Sequence, residues 1–112
     1  MTPIETMRRY FDTWNAHDFD AFEAQLAADM TFAGPLGTAH GPAAARQGIE
    51  GMSRMVERAE VLAMAADGED VLSWFELHTA AGDPVPVASW AKVRAGRVRR
   101  VRATFDPRPL LD

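Results

Sequence analysis

The sequence contains no cysteine, which excludes disulfide bonds, thiolate metal sites and a cysteine nucleophile. It also lacks any apolar run near the roughly 20 residues that a membrane helix needs, so no membrane partner is predicted. At the start, Met1-Thr2-Pro3-Ile4-Glu5, no basic stretch leads into an apolar one, and a secretory signal is not predicted. These absences make the cytoplasm the expected compartment.

Net charge is also small, at −4, and does not favour a nucleic-acid partner. One segment departs from this balance, because residues 92–102 carry six Lys and Arg side chains and no acidic one. The same segment has the pattern of two strands joined by a tight turn. Solvated arginines, or arginines at a subunit contact, explain it more simply than phosphate binding, so no nucleic-acid partner is predicted.

What the chain does have is an ordinary globular composition. Its 112 residues are 47% hydrophobic and 25% charged, which is typical of a folded domain with one hydrophobic core. The length is close to the most common domain size. We therefore predict a single domain over residues 1–112.

Local signals place helices first and strands afterwards. Thr2-Pro3-Ile4-Glu5 is typical of a helix start, with Thr as N-cap and Glu three residues later. Further signals predict a second helix after Asp18, a strand at 30–33, a loop at 34–41, a third helix from 42, and strand-like segments at 61–66, 71–79, 85–93 and 98–105. This order indicates an α+β fold with the helices on one face of a curved antiparallel sheet.

Several motifs extend over most of the chain. They are Tyr10 with Asn15-Ala16-His17-Asp18, Leu26-Ala27-Ala28-Asp29, Thr31-Phe32-Ala33-Gly34-Pro35-Leu36-Gly37, His40-Gly41-Pro42, Ala95-Gly96-Arg97-Val98 and Arg102-Ala103-Thr104-Phe105-Asp106-Pro107. Together they resemble the nuclear transport factor 2-like superfamily, specifically its SnoaL-like and ketosteroid-isomerase-like branch. Members of that branch include isomerases, cyclases, dehydratases, epoxide hydrolases and proteins with no reaction, so the resemblance alone does not give a function.

The resemblance implies a cone-shaped domain, in which three N-terminal helices pack on the concave face of the sheet. It further implies an enclosed pocket for a small apolar molecule, no cofactor, and a homodimer formed through the convex face. Side-chain alternation places Trp90 on that convex face, where it is the best candidate for the dimer contact.

The resemblance also predicts which side chains enter the pocket. On the strand 71–79 it places Leu72, Trp74, Glu76 and His78 inside, and Val71, Phe75 and Leu77 outside. On the next two strands the inward residues would be Val87, Ser89, Ala91, Val93, Val101, Ala103 and Phe105. A slip of one residue would invert any of these assignments.

Comparison with ketosteroid isomerases gives a partial match. Those enzymes use an Asp general base and an oxyanion hole built from a Tyr and a protonated Asp. Tyr10 matches the oxyanion tyrosine, but the base position falls on Gly34 and the second oxyanion position on Ser89 or Trp90. Authentic ketosteroid isomerase activity is therefore not expected.

Four residues are candidates for catalysis. Glu76 could act as proton acceptor, His78 could tune or relay the proton, and Tyr10 could stabilise an oxyanion. Asp106 is a second candidate acid or base, since SnoaL-like cyclases use an Asp in this part of the sheet. The simpler alternatives remain open: Glu76 and His78 could be surface residues or a plain pair, and Asp106 could cap the turn into Pro107.

Further residues are predicted to line the pocket, although Trp14 could equally be core and His40 could be solvent-exposed. The predicted lining residues are Trp14, Phe32, His40, Met52, Trp74, Ser89, Ala103 and Phe105. His40, Glu76 and His78 could in principle converge on a metal, but nothing in their spacing requires it, and no metal is predicted.

The sequence thus predicts a small-molecule-binding protein of the cone fold. The leading hypothesis is a cofactor-independent acid–base isomerase, cyclase or lyase acting on an apolar, carbonyl-bearing substrate. The alternatives are a ligand-binding protein without catalysis and a dimeric interaction domain of the same fold.

Overall fold

The computed structural model describes residues 1–111. Its elements are, in chain order, α1 (Pro3–Asn15), α2 (Phe19–Ala24), β1 (Leu26–Gly34), β2 (Gly37–His40), α3 (Pro42–Ser53), β3 (Val56–Asp67), β4 (Asp70–Thr79), β5 (Val85–Arg94), β6 (Arg97–Thr104) and a final 3₁₀ turn (Arg108–Leu110). Among these described residues, no helix combines the length and the apolar character needed to cross a membrane.

Helix α1 begins where the sequence predicts it. The Thr2 hydroxyl accepts a hydrogen bond from the Glu5 backbone N–H at 3.1 Å, and the Glu5 carboxylate accepts one from the Thr2 N–H at 2.8 Å. This reciprocal pair satisfies donors that a helix start otherwise leaves free. The apolar face of α1, which includes Met7, Tyr10 and Trp14, is buried against the sheet and α2.

The six strands form one sheet in the order β2-β1-β6-β5-β4-β3. The predicted α+β fold, with three helices and a curved sheet, is confirmed, but the sheet is mixed rather than fully antiparallel. Strands β1 and β6 run parallel, with Leu26 opposite Val98 and Thr31 opposite Arg100. Between them the chain passes through β2, α3 and the antiparallel strands β3, β4 and β5.

The segment 34–41, predicted as a loop, contains a β-hairpin instead. Strand β2 pairs antiparallel with the end of β1, from Thr31 opposite His40 to Gly34 opposite Gly37. Only Pro35 and Leu36 remain in the turn, and Gly37 adopts φ +145°. The glycines and the proline therefore mark a tight turn inside a hairpin rather than a longer loop.

Burial alternates along the strands and fixes which face meets the helices. On β5 and β6 the inward side chains include Val87, Ser89 and Val101, as predicted. On β4 the prediction is wrong. The buried side chains are Val71, Ser73, Phe75 and Leu77, whereas Leu72, Trp74, Glu76 and His78 lie on the outer, convex face of the sheet.

Strand register is the physical reason for this inversion. Phe75 lies opposite Val87, and residues directly opposite each other in adjacent strands share a face. Because Val87 is inward, Phe75 must be inward too, and its neighbours Trp74 and Glu76 must point outward.

The outer face of the sheet carries an apolar surface formed by Leu72, Trp74 and Trp90, which we call the outer-face patch. Leu72 lies opposite Trp90, and the three side chains are 57%, 48% and 37% exposed. The Trp90 indole donates a hydrogen bond to Asp70 at 2.9 Å, and the Arg100 guanidinium lies 4.8 Å from the Trp90 ring centre. These contacts hold the indole in one orientation on the surface.

Candidate functional site

The interior of the cone holds a small cavity between α1, α3 and the inward face of the sheet. Its volume is about 40 Å³. It is lined by Met7, Tyr10, Phe11, Trp14, Phe32, Ile49, Met52, Phe75, Leu77, Ser89, Val101, Ala103 and Phe105. The cone is therefore largely filled by its own side chains, and the lining is apolar apart from two hydroxyl groups.

A larger, partly open space adjoins this cavity between the β1–β2 hairpin and α3; we call it the groove. Its volume is about 540 Å³, and it shares Tyr10, Phe32, Ile49 and Met52 with the cavity. Leu36 on the hairpin turn and Met55 after α3 also line it, and both are more than two-fifths exposed. The groove thus leads from the surface to the same tyrosine that lines the cone interior.

Tyr10 is the polar group common to both spaces. Its side chain is 5% exposed, and its ring centre lies 5.3 Å from that of Phe11 and 4.8 Å from that of Phe22. Burial among these rings raises the pKa of the Tyr10 phenol well above its usual value. Tyr10 therefore stays neutral and can donate a hydrogen bond, but it is not suited to accept a proton.

Ser89 supplies the second hydroxyl, on the sheet side of the cavity. Its Oγ has no hydrogen-bond partner within the described part of the chain, and neither has that of Ser73 directly opposite on β4. An unpaired buried hydroxyl costs free energy that a polar ligand atom could recover.

The structure brings seven of the predicted site residues together around the cavity. They are Tyr10, Trp14, Phe32, Met52, Ser89, Ala103 and Phe105. Trp14 serves as core as well, since it is 5% exposed and lies edge-on to Phe75 at 6.1 Å between ring centres.

Glu76, His78 and Trp74 do not belong to this group, because they project from the opposite face of β4. The sequence-based proposal that Glu76 and His78 act on a ligand in the pocket is therefore wrong in its geometry. His78 Nε2 instead lies 2.9 Å from the Glu60 carboxylate on β3, and Glu60 lies directly opposite Glu76.

Within residues 1–111, Glu60, Glu76 and His78 form the cluster of side chains that could hold a metal ion. One ligand atom from each of Glu60, Glu76 and His78 lies within 4.8 Å of the other two. His40 cannot join them, because β2 and β4 are separated by three other strands of the sheet. The set considered from the sequence, His40 with Glu76 and His78, therefore does not converge.

Asp106 and His40 both lie outside the lining of the groove and the cavity. Asp106 follows β6 and is held by Arg108, whose guanidinium donates to both carboxylate oxygens at 2.6 to 3.0 Å. That contact holds the pKa of Asp106 below its usual range, which makes it a weak proton acceptor. His40 is exposed on the edge strand β2, opposite Thr31.

Sequence reasoning missed the groove itself. Its walls include Leu36, Gly48 and Arg54, none of which was predicted as a site residue. Gly34 and Gly37, which bracket a two-residue turn, are the sequence signal that could have indicated the hairpin forming one wall.

The basic segment 92–102 is largely engaged within the chain. Lys92 lies near Asp70, Arg94 pairs with Glu69, and Arg99 pairs with Asp29. Arg97 donates to the Ala24 carbonyl, and Arg100 covers Trp90.

Comparison with known proteins agrees with this architecture. The sequence pattern of the SnoaL-like domain matches residues 7–101. A Kribbella flavida protein is similar in structure, with 27% identity, a TM-score of 0.87, and coverage of 95% of this chain and 88% of that chain. No protein with a curated description matches this chain.

Two further structures share the fold at lower identity. An NTF2-like protein of unknown function from Cytophaga hutchinsonii is 23% identical with a TM-score of 0.84, covering 100% of this chain and 96% of its own. An LEH-like epoxide hydrolase from M. tuberculosis is 21% identical with a TM-score of 0.79, covering 93% and 82%.

Proposed function

This chain belongs to the SnoaL-like domain family, and from that premise we propose that it binds a small apolar molecule in the groove, with the Tyr10 hydroxyl as hydrogen-bond donor. The proposed role is binding, as in sequestration or delivery of the ligand, rather than acid–base catalysis. The proposal depends on the composition of the groove and cavity walls.

The observation that carries it is the chemistry of those walls. Among residues 1–111, no carboxylate and no imidazole lines either space. The walls are mainly aromatic and aliphatic, and the polar side chains are the Tyr10, Ser89 and Thr38 hydroxyls with Arg54 at the rim. Small-molecule sites typically combine such apolar walls with a few polar groups that orient the ligand.

The same walls argue against the acid–base enzyme that the sequence favours. An isomerase, cyclase or lyase of that kind needs a proton acceptor beside the substrate. Gly34 stands where the resemblance places the base, and a Cβ there would lie 3.2 Å from the Phe32 ring. A side chain introduced at position 34 would thus require Phe32 to move.

Calorimetric titration with two matched probes tests the proposal. Acetonaphthone carries a carbonyl, and ethylnaphthalene has a similar shape without one. We expect both to bind saturably, and the ketone to bind about fivefold tighter, because one neutral hydrogen bond contributes about 1 kcal/mol. Tyr10→Phe should remove this preference but retain binding of the hydrocarbon.

Thr104→Ala is the control, since it removes an exposed hydroxyl of β6 that lines neither space and should leave the ketone preference in place. Failure of both probes to bind saturably to the folded protein would overturn the proposal. Conversion of a carbonyl probe to a product would restore the enzymatic alternative.

We further propose that the protein forms a homodimer through the outer-face patch. Leu72, Trp74 and Trp90 form one contiguous apolar surface on the convex face of the sheet, and exposed apolar patches of this kind mark interaction sites. A second copy would present the same self-complementary surface under two-fold symmetry.

A further inference from the structure

Arg54 is the charged side chain of the groove. Within the described residues it is the one ionisable group besides Tyr10 that lines this space, and it forms no ion pair there. Its guanidinium lies along the rim, where a Cβ on Gly51 would be 3.5 Å from one of its nitrogens.

Four arginines of the chain form ion pairs within the described residues: Arg46, Arg94, Arg99 and Arg108. Arg46 pairs with Asp20, Glu23 and Glu50 at 2.6 to 3.3 Å, and Arg108 pairs with Asp106. In a chain with four more acidic than basic side chains, acidic partners are plentiful. Arg54 has no acidic partner within the described residues, which is also true of Arg8, Arg9 and Arg58. Of these arginines Arg54 alone lines the groove, where its guanidinium donors remain available to an anion from outside the chain.

Helix α3 is shaped to keep the space beside Arg54 open. Its groove side includes four small residues, Ala44, Ala45, Gly48 and Gly51, beside the larger Ile49 and Met52. A Cβ on Gly48 would meet nothing within 4 Å, so no close packing requires glycine there. Glycine inside a helix is unfavourable relative to alanine, and here the glycine leaves the groove deep.

We propose that the groove binds an amphipathic carboxylate, with its apolar body between α3 and the β1–β2 hairpin and its carboxylate on Arg54. This inference rests on the proposed function and specifies the ligand class of the same site. The groove volume of about 540 Å³ fits a drug-sized or medium-chain molecule. The anionic group stays at the exposed rim, so it keeps part of its hydration while the apolar body is buried.

Calorimetry with naphthylbutanoate and its neutral analogue naphthylbutanol tests this inference. We expect the wild-type protein to bind the carboxylate about fivefold tighter than the alcohol, the gain of a single partly exposed ion pair. Arg54→Ala should abolish this preference while the alcohol binds as before. Arg9→Ala removes an exposed cation of α1 away from the groove and should leave the preference unchanged.

The outcomes separate the two proposals. Equal binding of acid and alcohol to the wild type, or a preference that survives Arg54→Ala, would overturn the carboxylate inference while the proposed function stands. Absence of binding by both molecules would overturn both. Added salt should weaken binding of the acid and not of the alcohol, because the ion pair is partly exposed.

A second variant tests whether the two molecules bind in the groove. Gly48→Leu places a side chain into the groove, and because a Cβ at this position meets nothing within 4 Å, the variant should fold. The leucine side chain would occupy the ligand's space, so affinity for both molecules should fall at least tenfold. Circular dichroism would confirm folding. Undiminished binding of naphthylbutanoate to this folded variant would place the anion elsewhere and contradict the proposal.

Discussion

Phe75 lies edge-on against Phe11, with 4.9 Å between the ring centres, and this contact joins β4 to helix α1. Its chain neighbour Trp74 points the other way and is 48% exposed. Phe75 is 5% exposed, so these two aromatic side chains lie on opposite faces of the sheet although they are adjacent in sequence.

Alanine substitution of each residue tests this assignment. Phe75→Ala should lower the free energy of unfolding by about 3–5 kcal/mol, because it leaves a cavity in a packed aromatic cluster. Trp74→Ala should cost less than about 1 kcal/mol in the monomer, as expected for a surface position. Urea unfolding at protein concentrations low enough to give the monomer measures both, and a reversed order would show that β4 has the opposite face inward.

Gly48→Ala should raise the free energy of unfolding by about 1 kcal/mol, because alanine is the better helix former and its Cβ meets open space. Thermal unfolding provides the measurement. Gly96→Ala is the control: Gly96 adopts φ +72° in the β5–β6 turn, and the strained alanine should lower stability. A loss of stability in Gly48→Ala would mean that the groove is narrower than described.

The pKa of Tyr10 predicts how stability changes in alkali. Because burial raises the pKa of the folded phenol above the ordinary 10.0, the unfolded chain releases its proton first. The contribution of this group to stability is therefore constant below pH 10.0 and decreases as the pH rises above that value. Tyr10→Phe should remove this decrease.

The chain has a single tyrosine, so tyrosinate absorbance measures the ionisation directly. In the folded protein the transition should lie well above its position in guanidinium chloride. Coincident transitions would show that the hydroxyl is open to water, and the inference that it is a protonated donor would fail.

Charge placed in the outer-face patch should dissociate the dimer. Leu72→Glu puts a carboxylate opposite Trp90, and a two-fold axis would bring two such charges to one interface. Sedimentation equilibrium should then give the monomer mass. Leu36→Glu changes an equally large exposed leucine at the groove and should leave the dimer intact. A wild-type protein that is already monomeric would contradict the proposed homodimer.

The helix start at Thr2 and the faces of β5 could be predicted because each depends on local signals. A capping box involves residues three apart, and β5 alternates buried small or β-branched residues with outward residues that include Lys92 and Arg94. Strand β4 offers no such contrast. Val71, Phe75 and Leu77 on one face compete with Leu72 and Trp74 on the other, so apolar alternation fits both orientations.

The candidate site was predictable on its cavity side and not on its groove side. Tyr10, Ser89 and Phe105 follow from the helix and strand patterns together with the family resemblance. The groove depends on the distance between a hairpin and α3, which no local pattern encodes. Arg54 carries no distinctive sequence signal, and its role as a candidate anion contact emerges only from the surroundings.

The parallel pairing of β1 with β6 has a consequence for the order of folding. Strands β3 to β6 join through short turns, so their contacts form between segments that are near in sequence. The paired residues of β1 and β6, such as Leu26 and Val98, are separated by most of the sequence. Contacts between such distant segments form slowly. The hairpin that walls the groove should therefore dock last, and a ligand bound there would stabilise the completed fold in preference to its precursors.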